Sequence, residues 1–580
     1  MSYCDAVKSA GKSDLIDPKA EPCVPIVNYM NGVSFKLSPL RSLQIVMSSM
    51  ICGESQYYRP SRGAASNVSS HAIFSSFYTE KAEDYLAKII SESLAYDFEG
   101  TLDFISELRN RYLMRLNPQV ILACALLHSK RAEFSAENPG KIRQIISESA
   151  PIPTDWSRQY ELLTNLGKPI PSVWKREIAK KLEHLTPYHA MKYINGSKTG
   201  DSKTRAHTSL VDMIRITHPR SSKNPILEQI VKNGKIEVED SSINTWERMR
   251  SDGKSWREIL NTIRVPHMAL LRNLRNILEE MTEVIKSGEH DSDTNSMLES
   301  LNDLCAQLEA GVLKGKQFPF RYFTAYKTLK GENSRSYGRR EEKPIDSKLR
   351  DRVLNSLEEC LKLSLSTIPE LRGRVDCLTD NSGSAHGTFT SSYGSVKISE
   401  IANLSALLTA MRAETGGSVW VFGDKLQEVK VDPEGSILEQ LEKINALGKQ
   451  IGQGTETGIW LFWRDAIKQN IHLDNVFIYS DMQAGYSNLY ATSNYRSEMK
   501  DFDALASGSY SAYVDVLSLV KQYRSKVNSR VNLFSVQVAG YDNSVLPDIL
   551  YRGAILSGWT GKEAVLAYEM SRIWDLIEDD

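Results

Sequence analysis

The chain has 580 residues, too many for a single hydrophobic core, so two to four domains are expected. With 41% hydrophobic and 25% charged residues, its composition is ordinary for a soluble globular protein. No charge-free apolar run is long enough to span a bilayer, and residues 1–20 lack the apolar core of a signal peptide. Seven scattered cysteines without a CxxC pair argue against disulfides and zinc and predict a reducing compartment, the cytoplasm.

The net charge of −1 conceals an uneven distribution of charge along the chain. From residue 371 onward there are 19 Lys and Arg against 26 Asp and Glu, whereas residues 1–370 carry 52 basic and 46 acidic residues. The first part is therefore the candidate for binding a polyanion. An excess this small also fits an ordinary solvated surface.

Helical periodicity dominates the first part of the chain. Residues 1–35 contain three prolines and little periodicity, which predicts an irregular N-terminal arm. Residues 36–368 show apolar side chains at spacings of three and four, in short stretches separated by Gly, Pro and Asn. Residues 119–127 are apolar almost all round, which is typical of a helix packed on both sides. The pattern predicts stacked helical pairs of the HEAT-like repeat type.

The pattern changes in residues 369–580, where strand-like segments alternate with helices. This alternation predicts an α/β doubly wound domain with a mostly parallel sheet, and residues 416–431 predict a hairpin that adds one antiparallel edge. Strands are predicted at 374–379, 417–423, 427–431, 475–480, 531–539 and 553–557, and helices at 398–413, 434–450, 457–469, 504–527 and 561–577.

Three loops carry side chains with oxygen atoms: those after the strands 374–379 and 475–480, and the one before the helix 457–469. All three are expected at the edge of the sheet formed by the carboxyl ends of its strands, where ligands of such sheets bind. Carboxylates and hydroxyls suit a hard cation, magnesium or calcium, and five of them leave one octahedral position open. The spacing resembles the metal-ion-dependent adhesion site of the von Willebrand factor A domain, in which an acidic group of a partner takes that position. The alternatives are a structural ion or a plain Ser- and Gly-rich turn, and nearby His386 is more typical of a surface residue than of a ligand. The predicted ligands of a magnesium ion are Asp380, Ser382, Ser384, Thr455 and Asp481.

Several phrases of the chain resemble the 60 kDa Ro autoantigen family, which joins a helical TROVE module to a von Willebrand factor A-like domain. The similarity extends over about residues 36–580, although residues 130–165 match poorly, Ser480 stands where Thr is usual, and Asn381 stands where the family has an apolar residue. The phrases are Leu270-Leu271-Arg272-Asn273-Leu274, Pro319-Phe320 with Ala325 to Thr328, Trp174 to Leu182 with Tyr193 and His207, Asp212 to Pro219, and Asp548 to Ile577.

The resemblance implies a ring-shaped helical part that binds small structured Y RNAs on its outer face and single-stranded ends of misfolded RNA in its hole. If residues 172–182 form a helix, Trp174, Ile178 and Leu182 lie on one stripe. Arg176 and Lys180 then lie on the opposite face, where two cations can contact consecutive phosphates; a solvated basic face is the alternative. The predicted RNA-binding residues are Lys175, Arg176, Lys180, Lys192, Arg205, His207, Arg215 and His218.

No catalytic motif stands out, so the leading hypothesis is a non-enzymatic ribonucleoprotein scaffold for RNA quality control or stability. Its expected partners are Y-like RNA, frayed RNA ends and an exoribonuclease that receives them, and the chain is expected to be a monomer without membrane contact. One alternative is a magnesium-dependent protein-binding scaffold with no RNA role. The other is a nuclease that uses the metal, although the visible ligands suffice for only one ion.

Overall fold

The structure is a computed structural model in which three N-terminal elements precede the main body: β1 (Val24–Val27), β2 (Val33–Lys36) and α1 (Pro39–Ser48). The described residues form two compact units, residues 83–263 and residues 264–580, and the N-terminal elements belong to the second. No described helix combines the length and the apolarity that a bilayer crossing requires. The structure describes residues 24–27, 33–36, 38–48, 82–165, 168–193, 208–234, 245–287, 291–315, 317, 319–331, 343–383, 385–386, 388–391, 394–452, 457–480, 500–507, 512–538, 543–544, 552–557 and 563–579.

The first unit is helical throughout its described residues, as the periodicity predicts. Successive helices pack in layers: α3 contacts α4 and α6, α4 contacts α7, and α8 contacts α6 and α10. The helices are α2 (Ala82–Tyr96), α3 (Phe98–Asn110), α4 (Asn117–Leu127), α5 (Arg131–Glu137), α6 (Lys141–Ser149), α7 (Pro153–Asn165), α8 (Ser172–Leu182), α9 (Pro187–Tyr193), α10 (Leu210–Thr217), α11 (Pro225–Asn233), α12 (Trp246–Ser251) and α13 (Trp256–Thr262), with a 3-10 turn at Ser221–Lys223.

Capping side chains fix where these helices begin. At α10, the Ser209 side chain accepts a hydrogen bond from the Asp212 backbone N–H, and the Asp212 carboxylate accepts one from the Ser209 backbone, which is a capping box. At α11, the Asn224 side chain accepts from two backbone N–H groups and Pro225 occupies the first position. Gly234, at φ +67°, ends the same helix in the left-handed conformation.

A buried chain of polar side chains sets the rotation of α8 within the first unit. The Trp174 indole N–H donates to Gln159 Oε1 over 2.7 Å, Gln159 Nε2 donates to Gln119 Oε1, and Gln119 Nε2 donates to the Ser149 carbonyl oxygen over 2.7 Å. These groups come from α8, α7, α4 and α6. Because each buried donor has its partner, the network stabilises one orientation of α8.

The second unit begins with four helices that precede the sheet: α14 (His267–Ser287), α15 (Asp291–Gly315), α16 (Pro319–Lys330) and α17 (Ser347–Leu365). They pack on one another, and α17 also contacts a helix of the sheet domain at residues 437–448. The last of these helices ends at Leu365 and β3 begins at Val375, whereas the compact units divide after residue 263. The four helices fall in the second unit because they pack on one another and on the sheet domain.

A six-stranded sheet forms the core of the second unit, in the order β13-β11-β8-β3-β6-β7. All neighbouring strands are parallel except β6 and β7, which form the predicted antiparallel hairpin. The elements are β3 (Val375–Asp380), β4 (Thr388–Ser391), β5 (Gly394–Lys397), α18 (Ile398–Ala410), β6 (Gly417–Phe422), β7 (Leu426–Lys430), α19 (Ile437–Gly448), α20 (Thr457–Lys468), β8 (Asn475–Ser480), β9 (Leu505–Ser507), β10 (Ala512–Val514), α21 (Val516–Lys526), β11 (Asn532–Gln537), β12 (Asn543–Ser544), β13 (Gly553–Ser557) and α22 (Glu563–Asp579).

Two segments differ from the sequence-based expectation. Within the arm predicted to be irregular, β1 and β2 pair antiparallel, and β2 also pairs with β12. Pro25 lies on β1, an edge strand of this three-stranded sheet, and edge strands are where proline is tolerated. The predicted helix 504–527 is wrong in its first half, because β9 and β10 pair there and the Asp515 side chain caps α21 only afterwards. Tyr513 and Val514, which favour strands, explain that difference.

Candidate metal edge and cationic helix face

The carboxyl ends of β3, β6 and β8 lie side by side and are here called the metal edge. β3 is flanked by β6 and β8 in parallel register, so Asp380, Phe422 and Ser480 end their strands on the same side of the sheet. The structure therefore places Asp380 at the edge where ligands of open α/β sheets are held.

Asp380 is 1% exposed, and its carboxylate is oriented by hydrogen bonds from two directions. Oδ1 accepts from the Ser382 backbone N–H over 2.9 Å, and Oδ2 accepts from the Ser480 hydroxyl over 2.7 Å. The two bonds reach different oxygens of the carboxylate, so they fix its orientation at the end of β3. Ser480, the residue found in place of the usual Thr, thus keeps a hydroxyl that connects the ends of β8 and β3.

The chemistry of the described donors fits a hard cation, since Asp380 and Ser382 offer only oxygen. Both are buried beside each other at the end of β3. Within the described part of the chain, no three His, Cys, Asp or Glu side chains are grouped so that they could hold a metal ion. The other predicted ligands, Ser384, Thr455 and Asp481, lie outside the described residues.

Asn381 stands where the Ro family has an apolar residue, and its side chain belongs to a network of amides. This network was not predicted from the sequence. Its Nδ2 donates to Asn403 Oδ1 over 2.9 Å, and Asn403 Nδ2 donates back to Asn381 Oδ1 over 3.1 Å. Asn403 Nδ2 also donates to Asn445 Oδ1 over 2.8 Å, so the network joins β3, α18 and α19. Asn403 is the only amide in the largely apolar helix α18, and a buried amide requires partners, which was the available signal.

His386 packs beside this network and is half-buried, so the expectation of a surface residue is only partly met. Its Nε2 lies 3.2 Å from the Gly448 carbonyl oxygen, and its Nδ1 lies 3.4 Å from the Ser399 hydroxyl. Burial lowers the pKa of His386 below its ordinary value, and the Gly448 carbonyl partly opposes that change. The ring therefore connects the loop after β3 to α18 and α19.

The helix α8 separates apolar and cationic residues as predicted from its spacing. Trp174, Ile178 and Leu182 are 0% exposed, whereas Arg176 and Lys180 are exposed and Lys175 is partly exposed. Lys180 Nζ lies 2.9 Å from Glu177 Oε1, and its side chain stays 60% exposed. Arg176 Nε donates to the Ser172 carbonyl oxygen over 3.4 Å. Arg176 and Lys180 are here called the α8 face.

The remaining predicted RNA-binding residues divide into described and undescribed ones. Arg215 lies on α10, which packs against α8, and its side chain is 75% exposed with Asp212 Oδ1 at 3.9 Å. His218 ends α10 as an exposed residue in the left-handed conformation. Arg205 and His207 lie outside the described residues, as does the side chain of Lys192.

Three further cations near α8 were not singled out from the sequence. Lys181 Nζ donates to the Ser147 carbonyl oxygen over 2.9 Å, near the end of α6, where the helix dipole favours a cation. Burial lowers the pKa of Lys181. Arg220 and Lys223 lie 3.8 Å and 3.2 Å from the Glu183 carboxylate. Lys181 thus has a structural contact, whereas the other two add charge beside the C-terminus of α8.

No family model matches the chain, and no curated protein does. Among solved structures, the crystal structure of the Deinococcus radiodurans RO (RSR) protein matches with a TM-score of 0.54, covering 91% of this chain and 100% of that chain at 14% sequence identity. The chain has the Ro fold. The expected resemblance to the Ro family is confirmed in this respect: a mostly helical first part precedes an α/β domain with a mixed six-stranded sheet.

Proposed function

We propose that this chain is a Ro-type RNA-binding protein that holds small structured, Y-like RNA on its helical part. It also binds single-stranded ends of misfolded RNA, in the service of RNA quality control or stability. The α8 face carries this proposal, because two exposed cations one helical turn apart oppose three fully buried side chains. Cations at that spacing reach consecutive phosphates, and Arg can contact a phosphate with two N–H groups.

The surroundings of the α8 face favour recognition of shape rather than of base sequence. Arg215, Arg220 and Lys223 are exposed nearby, each beside the carboxylate of Asp212 or Glu183, and they would add phosphate contacts beyond α8. Structured RNA is read mainly through its backbone and its shape, which suits such a surface. The protein acts as a scaffold without turnover, and an exoribonuclease that degrades the presented RNA ends is the expected protein partner.

The metal edge holds one magnesium ion in this proposal, with Asp380, Ser382, Ser384, Thr455 and Asp481 as its ligands. The ion would supply a positive charge and an open coordination position at the end of β3. The orientation of the Asp380 carboxylate by Ser382 and Ser480 supports this assignment. It also favours a second candidate function, an assembly scaffold that binds an acidic group of a protein partner through the metal.

Filter binding of a structured small RNA over a salt series tests the RNA proposal. The full-length chain should bind at low salt with a steep dependence on salt, and Arg176→Ala with Lys180→Ala should weaken binding about tenfold or more and lower the slope by about 2. The control, Lys88→Ala with Lys130→Ala, removes the same charge from exposed positions on α2 and before α5.

The outcomes of this measurement separate the candidate functions. Equal losses in both double variants would indicate a general charge effect and contradict a site on α8. No RNA binding at low ionic strength would contradict the Ro-type function and leave the assembly scaffold. Magnesium-dependent RNA cleavage that Asp380→Ala abolishes would indicate a nuclease instead of a scaffold.

A further inference from the structure

We propose that the amide network of Asn381, Asn403 and Asn445 is the positioning element of the metal edge and sets its affinity for magnesium. Asn381 stands between Asp380 and Ser382, the two described residues with ligand chemistry. Its side chain is 1% exposed and turned into the network. The inference rests on the proposed magnesium site, and it is independent of RNA binding.

The central amide of this network, Asn403, has every hydrogen-bonding position used. Its Oδ1 accepts from the Thr379 hydroxyl over 2.7 Å and from Asn381 Nδ2 over 2.9 Å, and its Nδ2 donates to Asn381 Oδ1 and Asn445 Oδ1. A primary amide has two donors and two lone pairs, so Asn403 is saturated. Thr379 of β3 and Asn381, which directly follows β3, flank Asp380 and are therefore both held by one side chain of α18.

The backbone of Asn381 is fixed as firmly as its side chain. Its N–H donates to the Phe422 carbonyl oxygen at the end of β6 over 2.8 Å, and its Nδ2 also lies 3.3 Å from the Thr379 carbonyl oxygen. With both ends of Asn381 held, Asp380 and Ser382 have little freedom to turn away from the metal edge. Partners of this kind, one step removed from the ligands, typically decide how well a metal site is preorganised.

Gly448 of α19 leaves the space that the Asn381 side chain of this network occupies. A Cβ at Gly448 would lie 2.1 Å from Asn381 Oδ1, closer than any atom can approach. The φ of Gly448 is not in the left-handed region, so the close approach of Asn381 is the constraint at this position. Gly448 is the last residue of α19, and an α-helix does not itself require a glycine with ordinary φ at that position.

Calorimetric titration of magnesium into the full-length chain tests the proposal. Asn403→Leu should weaken magnesium binding about tenfold, the usual size of losing a partner behind a metal ligand. The matched control is Asn532→Leu, which removes a buried amide from the opposite end of the same sheet, where Asn532 bonds to Asn475 and Arg552. Asn532→Leu should lower thermal stability to a similar extent and leave the magnesium affinity unchanged.

Two milder variants keep the test decisive if Asn403→Leu does not fold. Gly448→Ala should displace the Asn381 side chain and weaken magnesium binding, although the change favours the helix. Asn445→Ala, at a half-buried position, should give a smaller loss in the same direction. Unchanged affinity in Asn403→Leu and Gly448→Ala, or equal losses in the Asn532→Leu control, would overturn the proposal. A wild-type chain without magnesium binding would overturn it too, whereas the RNA titration decides the Ro-type function separately.

Discussion

The two units of this protein place their candidate binding groups in opposite environments. In the first unit the candidate RNA contacts are exposed, as the 75% exposure of the Arg215 and Arg220 side chains illustrates. In the second unit the candidate metal site is buried, with Asp380 at 1% and Ser480 at 0% exposure. Ligand binding should therefore be separable from stability in the first unit and coupled to it in the second.

The contrast follows from the ligand that each surface would hold. An extended polyanion is bound by charges that remain in water and are screened by salt. A single small cation is held by oxygens that must be placed to a fraction of an ångström, which packed surroundings achieve. Substitutions on the α8 face should consequently change RNA affinity alone, whereas those at the metal edge should change folding and metal affinity together.

The largest effect is expected from the buried side of α8. Trp174→Ala removes a fully buried indole and leaves Gln159 without its donor, so it should lower the free energy of unfolding by about 3–5 kcal/mol. Arg176→Ala, two residues along the same helix, should change it by no more than about 0.5 kcal/mol. Urea denaturation of both variants measures the difference. Similar losses in the two variants would contradict the separation of binding from stability in the first unit.

The central strands of the sheet domain could be predicted closely from the sequence because they are buried on both faces. β3, β8 and β11 have every residue buried, and each contains an apolar stretch bordered by polar residues. The predicted strands at 475–480 and 553–557 coincide with β8 and β13. Short elements such as β9 and β10 were predicted less well, because three residues are too few to show a periodicity.

The candidate sites were predictable only in part. Spacing sufficed to place Asp380 at a strand end and Arg176 opposite Trp174, because both follow from the periods of strand and helix. It did not reveal Asn403 and Asn445, which lie 22 residues or more from Asn381 in sequence and meet it only through packing of α18 and α19. Long-range polar pairing of this kind has no local pattern.

A buried ion pair in the second unit offers the next largest effect. Lys327 Nζ of α16 lies 2.7 Å from Glu400 Oε1 of α18, and the two side chains are 10% and 14% exposed. Lys327→Met should cost about 3 kcal/mol of stability, because it leaves the Glu400 carboxylate buried without its cation. Adding Glu400→Gln should recover most of that loss. A double-mutant cycle by urea denaturation measures it, and additive losses would show that the two charges do not interact.

Magnesium-dependent stabilisation should come next in size. At a magnesium concentration of 100 times Kd, the ion should add about 2.7 kcal/mol to the wild-type chain, and Asp380→Ala should abolish this increment. Asp474→Ala is the control, since Asp474 accepts from the Arg374 backbone N–H at the opposite edge of the sheet. Thermal melts with and without magnesium give the result. If magnesium still stabilised Asp380→Ala to the same extent, Asp380 would not be a metal ligand.

The smallest change in stability is expected at Glu442, a partly exposed carboxylate of the second unit. It should behave like the exposed groups of the first unit and not like the buried Asp380. Glu442 of α19 lies 2.7 Å from Lys330 Nζ and accepts from the Tyr326 hydroxyl over 2.6 Å. Burial raises the pKa of Glu442, but the hydrogen bonds from Lys330 and Tyr326 lower it more, so the folded pKa lies below its ordinary value of 4.5. The resulting stabilisation is present above pH 4.5 and is lost as pH falls through the folded pKa.

Glu442→Gln should therefore reduce the free energy of unfolding at pH 7 by less than about 1 kcal/mol, since the Glu442 side chain is 47% exposed. The difference from wild type should shrink below pH 4.5, where the wild-type carboxylate begins to take up its proton. Urea denaturation at a series of pH values measures it, with Glu439→Gln, at an exposed position of the same helix, as the control. If the difference in the free energy of unfolding instead grew toward low pH, Lys330 and Tyr326 would not favour ionised Glu442. Burial, which raises the pKa, would then be the larger influence on this carboxylate.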